Sequence, residues 1–179
     1  KFKDRGIWAR LGCSPTALKV LFVGRVSVEK NMPFLTQLWK QVCQRNREQG
    51  IDAELIIVGD GPYRERMQQE LKGLPVKFLG FRHAEELSTI YASSDMFVFP
   101  SVTDTLGQVV LESQGSGLPV FVTDQGGPKE VVVEGVSGHV LSVDRPNDWV
   151  ERIVGLLADD ERRPRMSHAA HASVQRYSL

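Results

Sequence analysis

Short apolar segments alternate along the chain with longer amphipathic segments. Six of the short segments are candidate strands, and several of them are apolar at consecutive positions, which is typical of strands that are buried on both faces of a parallel sheet. Alternation of such strands with helices predicts right-handed crossovers that place helices on both faces of the sheet. The predicted strands cover residues 19–23, 53–58, 76–80, 96–100, 119–123 and 138–142.

The segments between these strands carry the signals of helix starts and ends. Pro33 suits the first turn of a helix that stops before Gly50. The sequence therefore predicts an α/β, Rossmann-like domain with a parallel sheet of about six strands. Ligands bind such sheets outside the carboxyl ends of the strands, so the residues directly after each strand are the candidates for a site. The predicted helices cover residues 33–48, 63–73, 84–94, 108–117, 128–134, 146–158 and 160–176.

Composition narrows the class of partner. Lys plus Arg and Asp plus Glu number 22 each among 179 residues, so no overall charge would attract nucleic acid. Cys13 and Cys43 form no CxxC pair, and their small number fits a reducing, cytoplasmic environment. Residues 1–18 are charged and lack the apolar core of a signal peptide, so we expect a linker there and a domain over 19–179.

The turn after the first strand, "VGRVSVEKN", carries Gly24, Arg25 and Lys30. It matches neither GxGxxG nor GxxxxGK[ST], the two common phosphate loops. Glycine permits close approach of a ligand, Arg offers a planar fork for phosphate, and Lys offers a point charge before a helix start. A diphosphate would satisfy all of these groups. The alternative interpretation is two solvated cations, one of them paired with Glu29.

The segment after the fourth strand carries two acids, Asp104 and Glu112. Between them, Thr105, Leu106 and Gly107 form the turn into a helix, whose free N–H groups offer a second site for an anion or a hydroxyl. Carboxylates accept hydrogen bonds from sugar hydroxyls. Alternatively, Asp104 caps the helix and Glu112 is an exposed helix residue. The apolar neighbours of Glu112 favour a partly buried position, which requires a partner.

The remaining motifs support other chemistries less well. The turn "GDGP" (59–62) is explained by turn geometry, and "QGGPKE" (125–130) is a helix start whose amides could also contact a ligand. His168 and His171 lie three apart on one predicted helix, where a solvated face is favoured over a metal site. The chain contains no HExxH, CxxC or GxSxG motif, so metal, thiol and serine chemistry have no support in the sequence.

Five segments in order resemble the C-terminal domain of retaining GT-B glycosyltransferases of the group 1, or family 4, type. That family includes glycogen, sucrose and phosphatidylinositol-mannoside synthases. The resemblance covers about residues 19–143 and implies a donor-binding domain whose N-terminal acceptor domain lies outside this chain. The segments are "VGRVSVEKN", "LIIVGDGPYRERM", "VKFLGF", "YASSDMFVFPSVTDTLGQVVLESQGSGLPV" and "GGPKEVVVEGVSGHVL".

The resemblance also implies roles for the turns after the first and third strands. The family's GR-x4-K segment falls on Arg25 and Lys30, which would hold the diphosphate of a nucleotide sugar. The loop around Phe81 and Arg82 would face the base. Guanine readers of the family can place an acid after the "FLG" turn, where this chain has "FRHAEE", so we expect a UDP-sugar in preference to a GDP-sugar.

The family's E-x7-E pair falls on Asp104 and Glu112. The resemblance implies that Asp104 holds the transferred sugar together with the backbone of Thr105, Leu106 and Gly107, and that Glu112 holds the ribose. The first acid is Asp where the family usually has Glu, so its side chain is one methylene shorter. This departure leaves the identity of the sugar open.

The activity implied by the resemblance is transfer of a sugar from a nucleoside diphosphate to an acceptor hydroxyl, with retention at the anomeric carbon. No cofactor or metal is expected, and this fragment alone would be inactive and monomeric. Its expected partners are the nucleotide sugar and the N-terminal domain, which could bring it to the cytoplasmic face of a membrane. Alternatives are a nucleotide-sugar 2-epimerase, a non-catalytic sugar-nucleotide-binding module and a nicotinamide-dependent dehydrogenase, whose GxGxxG turn is lacking.

Overall fold

The computed structural model describes residues 3–175 and contains one six-stranded sheet in the order β3-β2-β1-β4-β5-β6. All neighbouring strands are parallel. The predicted α/β class is confirmed, and each predicted strand is present within one residue at either end. The strands are β1 (Leu18–Val23), β2 (Ala53–Val58), β3 (Val76–Gly80), β4 (Met96–Phe99), β5 (Val120–Thr123) and β6 (Gly138–Leu141).

The helices predicted after the first strand follow the pattern with one correction, and the end predicted at residue 176 lies outside the described residues. The short helix Ile7–Arg10 was not predicted. The helix predicted over 128–134 is a single 3-10 turn, Pro128–Val131. Three consecutive valines at 131–133 disfavour a regular helix because their branched side chains crowd the preceding turn. No helix in the described range is long and apolar enough to cross a bilayer. The helices are α1 (Ile7–Arg10), α2 (Met32–Gln49), α3 (Arg64–Glu70), α4 (Ala84–Ser93), α5 (Gln108–Gly115), α6 (Pro146–Ala158) and α7 (Arg162–Val174).

The core lies on both faces of the sheet. Every residue of β2, β4 and β5 is buried, which explains why these strands are apolar at consecutive positions. Phe22 of β1 stacks on Phe99 of β4 at 5.9 Å, and Phe99 stacks on Phe97 at the same distance. These rings join the two central strands across the middle of the sheet.

The segment predicted as a linker packs against the domain. Trp8 is fully buried, and its indole N–H donates to the carbonyl of Ser93 at 3.2 Å. Arg5 donates to the same carbonyl and pairs with Asp95. The buried tryptophan and these hydrogen bonds fix residues 4–17 as an ordered part of the domain. The predicted role of this segment as a connection to another domain stays a prediction.

Candidate functional site

The strand order places the two candidate loops side by side. β1 and β4 are adjacent, with Val20 opposite Met96. From β1 the strand order runs outward through β2 to β3 on one side, and from β4 it runs outward through β5 to β6 on the other. This reversal of the strand order opens a crevice at the carboxyl ends of the two central strands, where ligands bind. The loops 24–31 and 100–107 line this crevice.

Lys30 and Asp104 meet directly across the crevice. The Lys30 ammonium donates to both carboxylate oxygens of Asp104, at 2.8 and 3.0 Å. It also lies 5.9 Å from the centre of the Phe99 ring. The side chains of Lys30 and Asp104 are 26% and 22% exposed, so the pair is partly buried but open to a ligand. Lys30 is therefore not the solvated cation of the alternative interpretation.

The alternative interpretation of Asp104 as a helix cap is also wrong. Asp104 does not cap α5, because Gly107 occupies the N-cap position and no side chain caps this helix. The hydroxyl of Ser101, two residues after the end of β4, donates instead to the Asp104 carboxylate. Asp104 is therefore held by one cation and one hydroxyl at the floor of the crevice.

Two further hydrogen bonds join the same loops, and we call residues 29–31 and 100–104 together the loop clasp. The Thr103 hydroxyl donates to the carbonyl of Glu29 at 3.3 Å. The Asn31 amide donates to the carbonyl of Pro100 at 3.1 Å. Asn31 has φ 63°, in the left-handed region that Asn tolerates better than most residues. The sequence analysis missed Asn31, although an Asn directly before a helix start is a recognisable signal.

Arg25 differs from Lys30 in its surroundings. Its side chain is exposed, and its charge contributes to lowering the pKa of Glu29 after that carboxylate's hydrogen bonds to its own backbone and to Ser27. Glu29 is thus close enough to interact with the charge of Arg25, but the two side chains form no direct ion pair in the described residues. Arg25 remains accessible to an anion from solvent.

A cavity of about 290 Å³ opens beside Arg25, at the carboxyl ends of β1 and β2. The Phe81 ring, 80% exposed, and the Arg82 side chain form part of its wall. Arg82 is held by hydrogen bonds to the carbonyl of Leu79 at 2.9 Å and to the carboxylate of Glu86 at 3.2 Å. The volume lies near the lower end for small-molecule pockets. Its lining residues are Val23, Gly24, Arg25, Val58, Gly59, Asp60, Phe81, Arg82 and Leu87.

The glycines of "GDGP" allow the second loop to pack against the first. A Cβ atom on Gly59 would lie 1.9 Å from the carbonyl oxygen of Gly24. Asp60, between the two glycines, accepts a hydrogen bond from the Gly61 N–H at 2.8 Å and lies 3.4 Å from Arg64. The turn-geometry interpretation therefore explains the glycines, whereas the sequence analysis missed Asp60 as a wall residue of the cavity.

The start of α5 is shaped by backbone contacts. A Cβ atom on Gly127 would lie 1.7 Å from the carbonyl oxygen of Thr105, and the Gly127 N–H donates to the carbonyl of Asp104. The glycines of "QGGP" thus support this turn through packing. Thr105 and Leu106 are exposed, and Gly107 has φ 67°. The Val110 N–H donates to the carbonyl of Gly107. The N–H groups that precede Val110 are therefore the donors that the start of this helix offers to a ligand.

The start of α2 offers fewer donors than the sequence predicts. Its first residue, Met32, donates its N–H to the carbonyl of Ser27 at 3.3 Å. Pro33 follows and has no N–H to donate. Anion binding in the first loop therefore depends more on the side chains of Arg25 and Lys30 than on helix amides.

Glu112 lies in the second turn of α5, next to Tyr91 of α4. Burial of Tyr91 raises the pKa of its hydroxyl, and the negative charge of the Glu112 carboxylate acts in the same direction. Glu112 is partly buried, as its apolar neighbours predict. It lies outside the nine residues that line the 290 Å³ cavity. The structure thus brings Lys30 and Asp104 together, and places Glu112 where α5 faces Tyr91 of α4.

The histidines of α7 lie at the other end of the sheet. His168 and His171 line a cavity of about 810 Å³ together with Asp95, which precedes β4. The His171 ring nitrogen Nδ1 is 3.0 Å from the carbonyl of Gly115. Within residues 3–175, no three His, Cys, Asp or Glu side chains converge as metal ligands would.

Comparison with known proteins identifies the relatives of this chain. The family model for glycosyl transferases group 1 matches residues 17–159. The sulfoquinovosyl transferase SQD2 of Arabidopsis thaliana is 37% identical over 181 residues, covering 99% of this chain and 34% of that protein. A GDP-mannose-dependent alpha-mannosyltransferase of Corynebacterium glutamicum is 33% identical over 173 residues, covering 96% and 39%. The chain therefore spans about a third to two-fifths of these curated relatives.

The fold also matches a solved domain. The C-terminal domain of a group 1 family glycosyl transferase from Francisella tularensis superposes with a TM-score of 0.85. The two chains are 17% identical, and the match covers 100% of this chain and 95% of that one. At this identity the likeness concerns the fold alone.

Proposed function

Since the chain belongs to the group 1 glycosyl transferases, we propose that it is the donor-binding domain of a retaining glycosyltransferase. The whole enzyme would transfer a sugar from a nucleoside diphosphate to an acceptor hydroxyl. The relatives are longer than this chain, in keeping with an N-terminal acceptor domain in the whole enzyme. One relative is named as dependent on GDP-mannose, which supports a nucleotide sugar as the donor class.

The observation that carries this proposal is the meeting of Lys30 and Asp104 in the crevice between β1 and β4. Arg25 extends the same cationic surface to the rim of the neighbouring cavity. A nucleoside diphosphate placed here would have its base in the cavity, beside Phe81 and Arg82, and its phosphates between Arg25 and Lys30. Asp104 would then lie next to the sugar.

The chemistry follows from charge. When the glycosidic bond breaks, negative charge develops on the leaving diphosphate, and preorganised cations stabilise it in place. Removing one such group typically raises a barrier by about 3 kcal/mol. We assign this role to Arg25 and Lys30, assisted by the N–H groups of Leu106 and Gly107 at the start of α5. Glu112 is assigned to the ribose hydroxyls.

We propose uracil as the preferred base of the donor. The expectation of a UDP-sugar rests on the stretch after the "FLG" turn, whose only acids are Glu85 and Glu86, and in the structure Glu86 pairs with Arg82. Asp60 adds a carboxylate to the cavity wall that could accept hydrogen bonds from either uracil or guanine. Direct comparison of UDP with GDP is therefore part of the test.

Calorimetric titration of the 179-residue chain with UDP, GDP, uridine and guanosine tests the proposal. We expect Arg25→Ala and Lys30→Ala each to weaken diphosphate binding by about 1.5–3 kcal/mol, as for loss of a charge-assisted contact. Nucleoside binding should not change, because neither residue is assigned to the base or the ribose. Lys40→Ala is the matched control, since Lys40 pairs with Glu70 on α3, away from the crevice. Wild-type affinity for both diphosphates in the Arg25 and Lys30 variants would refute the proposal.

A further inference from the structure

Lys30 and Asp104 are assigned to different parts of one ligand, yet they bind each other. We propose that Asp104 is the internal counter-ion of Lys30 and competes with the donor's diphosphate for it. Binding of a nucleotide sugar then exchanges partners: Lys30 turns to the diphosphate, and Asp104 turns to the sugar. This inference rests on the proposed function, because it takes the diphosphate site at Lys30 as given.

Lys30 cannot keep both of its hydrogen bonds to Asp104 and also bind a diphosphate fully. An ammonium group has three N–H donors, and the Asp104 carboxylate engages Lys30 through both of its oxygens. A diphosphate that takes two hydrogen bonds from Lys30 must displace at least one of them. Exposure of about a quarter of each side chain leaves room for this exchange without unfolding the loops.

Asp104 does not lose its position when Lys30 leaves. The Ser101 hydroxyl still donates to the carboxylate, and the loop clasp still holds residues 29 and 31 against 103 and 100. The carboxylate then has free lone pairs directed at the crevice. Sugar hydroxyls are the donors that would satisfy them when an intact nucleotide sugar is bound.

The consequence is discrimination between donor and product. A nucleoside diphosphate without its sugar displaces Asp104 from Lys30 but gives the carboxylate no new donor. An intact nucleotide sugar replaces the lost contact through its hydroxyls. Asp104 therefore weakens binding of the product relative to the donor, which favours product release after transfer.

Calorimetric titration of the 179-residue chain with UDP tests the competition. We expect Asp104→Asn to bind UDP about threefold to tenfold more tightly, because Lys30 no longer has an anionic partner. The same substitution in a Lys30→Ala background should leave UDP affinity unchanged. Asp124→Asn removes a carboxylate that follows β5 at the same edge of the sheet, and controls for a general change of charge.

Nuclear magnetic resonance supplies a direct signal of the exchange. In the wild-type chain with 13C-labelled aspartate, UDP should shift the carboxyl carbon of Asp104, while Asp124 serves as the internal reference. In Lys30→Ala, UDP should not produce this shift of the Asp104 carboxyl carbon. A purely structural role of Asp104 would produce neither the shift nor the tighter binding.

The outcomes separate this inference from the proposed function. If Lys30→Ala weakens UDP binding and Asp104→Asn does not strengthen it, the competition is wrong and the diphosphate site stands. If Lys30→Ala binds UDP as the wild type does, the exchange is wrong, and the proposed function is wrong as well if Arg25→Ala also binds as the wild type does. Tightening by Asp104→Asn that persists in the Lys30→Ala background, or that Asp124→Asn reproduces, also overturns the exchange.

Discussion

Two lysine–carboxylate pairs lie at opposite ends of the sheet, and their surroundings differ. At the amino ends of β1 and β2, Lys19 and Glu54 occupy matching positions of neighbouring strands, with Nζ 3.4 Å from Oε1. The Lys19 side chain is fully buried, donates to the carbonyls of Ser14 and Ala17, and lies 5.3 Å from the Trp8 ring. At the carboxyl ends, the pair in the crevice is partly exposed and its lysine has no backbone carbonyl as a partner among residues 3–175.

The difference shows what burial does to an ion pair. The Lys19 ammonium donates to two carbonyls and pairs with Glu54 inside the domain, so exchange of its partner would leave a buried charge without compensation. It binds residues 14–17 and the strand together, and so fixes the amino-terminal segment. Lys30 can exchange its partner because water and ligands reach it. The first pair stabilises the fold, and the second is available for binding.

The largest expected effect is loss of the buried pair. Lys19→Met should lower the free energy of unfolding by about 3–5 kcal/mol, because Glu54 is left buried without its cation. Lys30→Ala should change it by less than about 1 kcal/mol, as is usual for exposed pairs. Urea denaturation of both variants measures the difference, and equal losses would contradict the comparison.

A double variant separates charge from packing at the buried pair. Lys19→Met with Glu54→Leu should recover much of the lost stability, since no uncompensated charge remains. Recovery should be incomplete, because the carbonyls of Ser14 and Ala17 lose their donor. A double variant no more stable than Lys19→Met would show that the carbonyl contacts, and not the ion pair, dominate.

A smaller effect is expected at Asn31, which supports the exposed pair. Asn31→Ala should lower stability by about 1–2 kcal/mol, since the left-handed conformation at φ 63° is costlier for alanine than for asparagine. It should also weaken UDP binding, because Lys30 is the preceding residue. Asn31→Gly keeps this backbone conformation and loses only the bond to Pro100, so UDP affinity should largely return. Denaturation and calorimetry check both effects, and a glycine variant as weak as the alanine variant would refute the argument.

The smallest effect concerns a third buried ionisable group. Burial lowers the pKa of His139 on β6, against the opposing hydrogen bond and charge of Glu134, whose carboxylate is 2.8 Å away. The folded-state pKa lies below the unfolded value of about 6.5. The contribution of His139 to the free energy of unfolding is therefore fully present above that pH and is lost as the pH drops through the folded-state pKa. His139→Phe should reduce this slope. Denaturation from pH 5 to 8 measures it, and an unchanged slope in the variant would assign the pH dependence to other groups.

Local patterns were sufficient for most of the fold. The apolar runs and the turn residues around them placed the six strands, because a strand buried on both faces needs consecutive apolar residues. The helix over 128–134 was wrong because consecutive valines overrode a favourable start at Pro128. The packing of the segment before β1 was not predicted, since it depends on Trp8 reaching Ser93 on α4, 85 positions away.

The sequence by itself determined which chemical groups follow each strand: the cations Arg25 and Lys30 after β1, and Asp104 after β4. It also held a signal for the buried pair, since Lys19 and Glu54 are each the second residue of an otherwise apolar strand. Only the tertiary structure decided that β1 and β4 are neighbours, and hence that Lys30 is bound to Asp104, 74 positions away. Strand order depends on packing between distant segments, whereas propensities and turns depend on residues within a few positions.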